Sequence, residues 1–213
     1  SAGLNHRPMH FAAEVVVPAD VEDDFGSKVA PAITLLRYEL TVGYEPPVPP
    51  ARVGRLAVLR EELRHINRGD APKHLLFPQS VKQFRDAIVR GSRRGGPFIS
   101  TDPDDDRIYV HQDGGSHGRP RRALRTKAPT TVVSTINSID DPTILAMRRE
   151  LQSWRRLALE PTALRAPDRF VGPTAIGADG SHLAAALYRI AHGGASPAED
   201  TYARIANRVS GLA

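Results

Sequence analysis

The stretch from Ser153 to Leu187 begins SWRRLALEPTALRAPDRF and closes with GADGSHLAAAL. Residues 154–159 predict a strand, which must end at Glu160-Pro161 because proline has no N–H for a sheet ladder. A connector containing Pro161 and Pro167 follows, and Asp179-Gly180 then predicts the start of a helix, with Asp179 as its cap. We expect the rest of the chain to be arranged around this strand, connector and helix.

Composition limits both the size of the fold and its chemistry. The chain has 213 residues, 40% hydrophobic and 6% aromatic, which predicts one domain with a core of mainly Leu, Val, Ile and Ala. Without cysteine, disulfides, zinc–thiolate sites, iron–sulfur clusters and cysteine nucleophiles are excluded. No apolar run reaches the roughly 18 residues of a membrane helix and no signal peptide is evident. We therefore expect a cytoplasmic protein with no membrane partner.

Positive charge is concentrated in one segment. The net charge is +5 and the calculated pI is near 9.9. Between Asp113 and Ala128 one acidic residue stands against five basic ones, which are Arg119, Arg121, Arg122, Arg125 and Lys127. Such a cluster is a candidate contact for nucleic acid phosphates or for a protein partner, and a solvated loop is the alternative.

Residues 1–128 are predicted to form a strand-rich lobe. Apolar and polar residues alternate in the clearest strand, 35–43, where Leu36, Tyr38, Leu40 and Val42 share one face. Asp and Pro residues at 101–106 indicate a turn. A strand is predicted at 10–17, a hairpin at 97–100 with 107–111, a loop at 67–80 and a short helix at 81–89. Residues 55–66 have both helical spacing and strand-like alternation, and the preceding strand and Pro-rich connector favour an antiparallel partner strand at 55–62.

Residues 129–213 are predicted to be helix-rich. Asp141-Pro142 starts one helix, Asp179 caps a second, and Ser196-Pro197-Ala198-Glu199 is a capping box that opens a third. Trp154 and Leu157 are expected to anchor the intervening strand in the core. The predicted apolar face of the first helix is formed by Ile144, Met147 and Leu151, and that of the second by Leu183, Leu187 and Ile190. That of the third helix is formed by Tyr202, Ile205, Ala206 and Val209. The fold class is therefore α+β, with an antiparallel strand-rich N-terminal part packed against a helix-rich C-terminal part.

A search for reactive motifs yields no catalytic, cofactor-binding or metal-binding residue. A phosphate loop requires G-x-x-x-x-G-K-[ST], and the nearest segment, residues 91–96 (GSRRGG), lacks both the spacing and the Lys-Ser/Thr pair. His111, Asp113 and His117 have the side chains of a divalent-metal site, and a solvated turn is the alternative. Asp102 and Asp104–Asp106 lack the Gly and Glu of a calcium loop, so they indicate a turn.

Seven segments occur in an order that identifies a family. They are FAAEVVVP, ITLLRYELTVGY, VLREEL, FIST with VHQDGG, STINS, SWRRLALEPTALRAPD and DGSHLAAALYRI. In this order they resemble the predicted AAA/ABC-type ATPases related to the RecF and SMC heads. The resemblance covers nearly the whole chain, and Trp154-Arg155, Leu159-Glu160-Pro161 and Asp179-Gly180 belong to its most specific parts.

The resemblance implies a central fragment of such an ATPase head. Family members carry a P-loop near the start and a signature segment, an acidic Walker B strand and a switch His near the end, and this sequence contains none of them. The chain does not begin with Met, which suggests the interior of a longer protein. ATP and Mg²⁺ are thus expected for the parent hydrolase, in which two heads enclose two nucleotides. This chain alone is expected to be inactive and to bind neither.

Two other functions remain open at this stage. The basic residues 119–127 could make the chain a nucleic-acid-binding module without ATPase activity, with DNA as its partner. His111, Asp113 and His117 could instead serve a metal-dependent hydrolase. In the ATPase hypothesis the partners are the parent's P-loop and signature segments. Strands that pair with those segments would otherwise have open edges, which predicts a homodimer.

Overall fold

The computed structural model describes residues 7–75, 82–114, 122–125, 127–169, 172–173, 175–193 and 197–211. The chain divides into two compact units, residues 1–153 and 154–213. All strands in the described residues lie in the first unit, together with four of the helices. The predicted α+β class with antiparallel strands is confirmed.

The first unit contains eight strands and the helices that accompany them. The strands are Met9–Val16 (β1), Val21–Glu22 (β2), Lys28–Val29 (β3), Leu35–Glu45 (β4), Arg55–His65 (β5), Ile99–Asp102 (β6), Arg107–Val110 (β7) and Arg122–Arg125 (β8). The helices are Ala71–His74 (α1), Lys82–Ile88 (α2), Val132–Thr135 (α3) and Pro142–Ser153 (α4). The second unit contains Pro161–Leu164 (α5), Leu183–His192 (α6) and Ala198–Ser210 (α7).

Six strands form one antiparallel sheet in the order β1-β4-β5-β6-β7-β8, and β2 and β3 form a separate pair. β4 is paired on both sides along most of its length, with β1 over residues 35–42 and with β5 over residues 36–45. β5 pairs with β6 at Leu63 and Ile99, and the Thr101 hydroxyl of β6 bonds to the Glu61 backbone of β5. Nearer the start of β5, the Val58 N–H donates to the Ala128 carbonyl and the Val58 carbonyl accepts the Lys127 N–H. The residues that follow β8 therefore pair with β5.

The alternation predicted for residues 35–43 places its apolar side chains on the inner face of the sheet. Leu36 and Tyr38 of β4 and Leu63 of β5 are buried there in one cluster with the first half of α4. Five consecutive residues of α4, 143–147, are buried, because this half of the helix is surrounded on every side. Burial of these aliphatic side chains is the main source of stability of the unit.

Glu61 lies in this apolar interior with no exposed surface. Its carboxylate accepts hydrogen bonds from the Tyr38 hydroxyl at 3.0 Å and from the backbone N–H groups of Val132 at 2.6 Å and Val133 at 2.9 Å. These two N–H groups belong to the first turn of α3, where helical partners are lacking. One side chain of β5 therefore fixes α3 to the inner face of the sheet.

Alternating charges cover much of the outer face. Glu62 of β5 is nearly buried between Arg60 at 2.6 Å and Arg64 at 2.5 Å. On β4, Arg37 bonds to Glu39 at 2.7 Å and to Glu14 of β1 at 2.7 Å. A small apolar cluster, Leu35, Ile66, Ala71, Leu75 and Val89, continues this face toward α1 and the end of α2.

Most elements predicted from periodicity in the first unit are confirmed. The strands expected at 10–17, 35–43 and 55–62 correspond to β1, β4 and β5, and the expected hairpin is β6 with β7. Asp102 shapes the turn as predicted, because its carboxylate accepts the N–H groups of Asp104 and Asp105. The short helix expected at 81–89 is α2, and α4 begins at Pro142 as predicted.

The predicted strand at 154–159 is wrong. These residues form no strand, and Trp154 and Leu157, expected in the core, are 51% and 50% exposed. Ala158 and Glu160 bond to a neighbouring segment through N–H groups that donate to the carbonyls of Ala178 and Asp179, both at 2.7 Å. A turn closed by the bond from Gly180 N–H to Gly177 carbonyl ends this pairing before a ladder forms.

The predicted helix starts in the second unit are also wrong in detail. α6 begins at Leu183 with His182 as its N-cap, whereas Asp179 accepts the N–H of Ser181 in the preceding turn. α7 begins at Ala198 with Pro197 as its N-cap, and Ser196 lies outside the described residues. The buried face of α6 is formed by Ala186 and Ala191, while Ile190 is exposed.

Other predictions need smaller corrections. The expected loop 67–80 contains the short helix α1, and residues 122–125 form the strand β8, which was not predicted. On α7 the expected apolar face is largely exposed, and Thr201 is the residue buried in that helix. No helix in the described ranges is long and apolar enough to cross a membrane.

The anchoring role of Glu61 leads to a stability prediction. Glu61→Gln should lower the free energy of unfolding by about 1–3 kcal/mol, because an amide NH₂ in place of Oε2 leaves the Val132 N–H without an acceptor. Urea denaturation followed by far-ultraviolet circular dichroism measures the change. The control is Glu45→Gln, which removes an exposed pair with Arg55 and should cost less than about 1 kcal/mol. Equal losses in the two variants would contradict the prediction.

Glu61 also predicts how stability depends on pH. Burial raises the pKa of Glu61, against the opposing effect of its three hydrogen-bond donors. A group whose pKa is higher in the folded chain stabilises the fold at low pH, and this contribution is lost as the pH rises through the folded pKa. The stability advantage of the wild type over Glu61→Gln should therefore narrow as the pH rises above the ordinary glutamate pKa of about 4.3. Urea titrations at several pH values test this, and an advantage that widens with pH would be incompatible with it.

Candidate functional site

The predicted basic segment lies at one edge of the six-stranded sheet. Arg122 and Arg125 are the first and last residues of β8, which is the edge strand next to β7. Lys127 follows as an exposed residue with a φ of 61°, and its N–H donates to the Val58 carbonyl at 2.6 Å. Arg119 and Arg121 lie outside the described residues. We call β8 together with Lys127 the β8 edge.

Pairing of β7 with β8 adds a basic residue that sequence analysis did not select. In the register of this pair, Arg107 of β7 lies opposite Arg125 of β8. Like charges at opposite positions of neighbouring strands repel each other. Arg107 has a counter-charge in Asp105, with its Nε 3.5 Å from the carboxylate, and both side chains are about half exposed. A phosphate at this edge would relieve the repulsion further.

A concave surface adjoins the β8 edge and is of the size of a binding cleft, for which about 300–1,000 Å³ is usual. Its volume is 690 Å³, and its lining includes Glu45, Arg55, Asp106, Lys127 and Thr131. Arg55 and Glu45 form an ion pair at 2.8 Å, and the lining also contains the acidic Asp106 and the basic Lys127. The formal charges of the lining therefore balance, and apolar side chains such as Ile108 and Val132 complete it.

Two of the residues considered for a metal site have other partners. Asp113 accepts hydrogen bonds from both the N–H and the hydroxyl of Thr143, with the N–H at 2.9 Å, and so caps the first turn of α4. His111 contacts the Ser100 hydroxyl through Nε2 at 2.8 Å. His117 lies outside the described residues, and in the described part of the chain no group of three or more His, Cys, Asp or Glu residues could hold a metal ion.

Burial shifts the pKa values of these two residues in opposite directions. It raises the pKa of Asp113, against the lowering effect of its bonds from Thr143, and it lowers the pKa of His111. The buried Arg93 guanidinium lowers the pKa of His111 further. Both shifts follow from the desolvation of a charged form, which is expected in a folded interior as well as in an active site.

The glycine-rich segment 91–96 is a structural element. Gly91 has a φ of 79°, and a Cβ there would lie 2.0 Å from the Ala32 carbonyl oxygen, so no other residue fits without rearrangement. Arg93 is buried above the Phe98 ring at 4.1 Å and donates to the Gly96, Gln112 and Asp113 carbonyls. Because its guanidinium donates to these backbone carbonyls, it is not directed at a bound phosphate.

In the second unit, the two halves of the stretch 153–187 fold onto each other. The carbonyls of Ala178 and Asp179 accept the N–H groups of Ala158 and Glu160. Gly180, with a φ of 90°, lies beneath Leu159 and Leu164, and a Cβ there would approach Leu164 to 2.7 Å. The Asp-Gly pair identified in the sequence is therefore required by close packing, and the passage forms one connected structure.

Asp168 caps α6 from outside the helix. Its carboxylate accepts the Ala185 N–H at 2.9 Å and contacts His182 Nδ1 at 2.8 Å. These bonds satisfy one free N–H of the first turn and fix His182, which has a left-handed backbone with a φ of 63°. Sequence analysis missed this role because Asp168 precedes the helix by 15 residues, beyond the range of local capping patterns.

A groove of 550 Å³ lies between the 168–172 segment and α6. Tyr188 and His192, one helical turn apart, stack with their ring centroids 4.0 Å apart and form part of its wall. Asp168, Arg169 and Arg189 also line it. The arrangement offers an apolar wall with charged residues at the rim.

Comparisons with protein-family models, curated proteins and solved structures find no match for this chain.

The cap on α6 leads to a prediction for the second unit. Asp168→Ala should reduce the helical signal and the midpoint of thermal unfolding, because it leaves the Ala185 N–H unpaired and releases His182. Asp168→Asn retains an acceptor and should show a smaller loss. The Ala185 N–H and then His182 lower the pKa of Asp168, so the stabilisation is present above the unfolded pKa and is lost as the pH falls through the folded one.

Circular dichroism of both variants at neutral and acidic pH gives the test. The wild type should converge with Asp168→Ala at acidic pH. If Asp168→Ala unfolds like the wild type at neutral pH, the cap does not stabilise α6.

Proposed function

We propose that this chain is the central portion of an ABC-type ATPase head of the RecF and SMC kind. The observation that carries the proposal is the order of seven sequence segments that resemble this family along nearly the whole chain. An antiparallel sheet unit followed by a helical unit is consistent with it. In the parent protein, ATP binding and hydrolysis would drive head dimerisation and act on DNA or a protein partner.

In this proposal the chain supplies architecture, and other segments of the parent supply the chemistry. ATP and Mg²⁺ would be held by the P-loop and Walker B residues of the parent, and no residue of this chain is assigned a contact to them. The residues here would connect the lobe beside the P-loop to the segment that leads to the signature. Within the second unit, the bonds of Ala158 and Glu160 to the 178–179 backbone hold the start of that segment to the turn before α6. The parent would act in the cytoplasm.

Gene context and ATPase activity together test this proposal. The encoding gene should specify G-x-x-x-x-G-K-[ST] upstream of this chain and a strand ending in acidic residues downstream. The full gene product should hydrolyse ATP, residues 1–213 should not, and changing the P-loop Lys to Ala should abolish the activity. An open reading frame that ends at Ala213 and contains no P-loop upstream would overturn the proposal.

A second candidate function is nucleic-acid binding by the β8 edge without ATPase activity. Arg107 and Arg125 lie opposite each other in neighbouring strands, and Arg122 and Lys127 lie at the same edge of the sheet. Phosphate groups bound there would neutralise adjacent like charges, which makes the affinity dependent on salt. This candidate is compatible with the chain as an independent module.

The nucleic-acid candidate predicts a specific loss of binding. Arg122→Ala, Arg125→Ala and Lys127→Ala combined should weaken the retention of labelled DNA at low salt about tenfold or more, with a reduced salt slope. The control is Arg155→Ala, Arg156→Ala and Arg208→Ala combined, which removes the same charge from exposed positions of the second unit. Equal weakening in both triple variants, or no retention by the wild type, would exclude the candidate.

A further inference from the structure

β1 is an edge strand without the features that normally protect such an edge. Among the residues that the structure describes, β1 pairs with β4 alone, and its eight residues, MHFAAEVV, contain no Lys, Arg or Pro and no bulge. Edge strands in monomeric proteins are usually interrupted or carry positive charge, as β8 does with two arginines. The single charge of β1, Glu14, is bonded to Arg37 and His74.

The direction of the free backbone groups can be assigned from one hydrogen bond. Val17 N–H donates to the Thr34 carbonyl at 2.8 Å and continues the ladder between β1 and β4. Backbone groups alternate in direction along an antiparallel strand. The odd-numbered residues of β1 therefore direct their N–H and C=O groups toward β4, and His10, Ala12, Glu14 and Val16 direct theirs toward the open edge.

The space beside this edge can accommodate another strand. A groove of 550 Å³ is lined by residues 12–16, by Leu35 and Arg37 of β4, and by His74 and Leu75 at the end of α1. On the inner face of the same strand, Met9 and Phe11 are 45% and 54% exposed. They lie opposite Val42 and Leu40 of β4, so an apolar surface reaches the open edge.

We propose that β1 pairs with β1 of a second copy of this chain, antiparallel and with Ala12 opposite Ala12. In this register Phe11 lies opposite Ala13 of the second copy and Met9 opposite Val15, so a large side chain meets a small one on the inner face. On the outer face His10 lies opposite Glu14 of the second copy, so that an imidazole, which can donate a hydrogen bond, faces a carboxylate at two places in the pair. About six main-chain hydrogen bonds would form, and the two sheets would become one.

The chemistry of the edge favours a second copy over other partners. Its only formal charge is negative, which disfavours nucleic acid. An unrelated peptide would have to supply a base opposite Glu14 and an acid opposite His10, whereas a second copy supplies both in a single register. The inference concerns the β1 surface alone and does not depend on the ATPase proposal, which gene context tests separately.

Cross-linking with introduced cysteines tests this register, because the chain has no cysteine of its own. Opposite residues of a hydrogen-bonded pair have Cα atoms about 5.5 Å apart, which is within the range of a disulfide. Ala12→Cys should therefore form a covalent dimer on mild oxidation. Val53→Cys, at an exposed position far along the chain, is the control and should not. Equal cross-linking of both variants would overturn the proposal.

Sedimentation equilibrium supplies the second measurement. The wild type should change from monomer to dimer between about 1 and 100 µM. Ala12→Pro removes an N–H that faces the open edge and leaves the ladder to β4 intact, so it should be monomeric with an unchanged circular dichroism spectrum. His10→Glu places two acids opposite each other and should weaken the dimer, whereas Gln112→Glu adds the same charge elsewhere and should not. A wild type that is monomeric throughout, or an Ala12→Pro variant that dimerises equally, would overturn the proposal.

Discussion

The interior carboxylate of Glu61 connects the two kinds of secondary structure in the first unit. It projects from β5 into an apolar core and meets the first turn of α3, 71 residues later in the chain. Two other helices are held in a similar way, α4 by Asp113 and α6 by Asp168. Each of these acidic side chains satisfies backbone N–H groups and interacts favourably with the positive end of the helix. The positions of the helices thus depend on carboxylates that lie outside them.

This dependence explains which parts of the fold were predictable. The strands β1 and β4 were recognised because alternation is a local property, and the turn at Asp102 because its side chain bonds to residues two and three positions away. The spacing of β5 also fitted a helix, and the strand and Pro-rich connector before it favoured the correct assignment. The roles of Glu61, Asp113 and Asp168 were not recognised, since a cap that is distant in the chain leaves no local pattern. The same reason accounts for Asp179, whose position suggested a cap although its carboxylate serves the turn before the helix. Asp113 was considered as a possible metal ligand, whereas in the structure its carboxylate caps the first turn of α4.

The candidate site was predictable in part. The basic segment was evident from composition, but the contribution of Arg107 became visible only when the register of β7 and β8 was known. The stretch 153–187 was expected to organise the rest of the chain, whereas the six-stranded sheet and its core lie in the first unit and residues from 154 onward belong to the second. Its residues 154–159 bond to a turn and form no strand. The sheet has two different edges as a consequence of its order, one basic at β8 and one nearly uncharged at β1. The basic β8 edge suits contacts with phosphate groups, and the nearly uncharged β1 edge suits contacts with another polypeptide.

The position of Trp154 has a practical consequence for spectroscopy. It is the only tryptophan of the chain, it is the first residue of the second unit, and half of its surface is exposed. Its emission therefore reports the environment of one chain junction and carries little information about the buried sheet. A fluorescence signal from this protein would follow changes near the junction, whereas melting of the sheet would have to be followed through the peptide bonds. The chain thus contains a built-in reporter for the region where its two units are joined covalently.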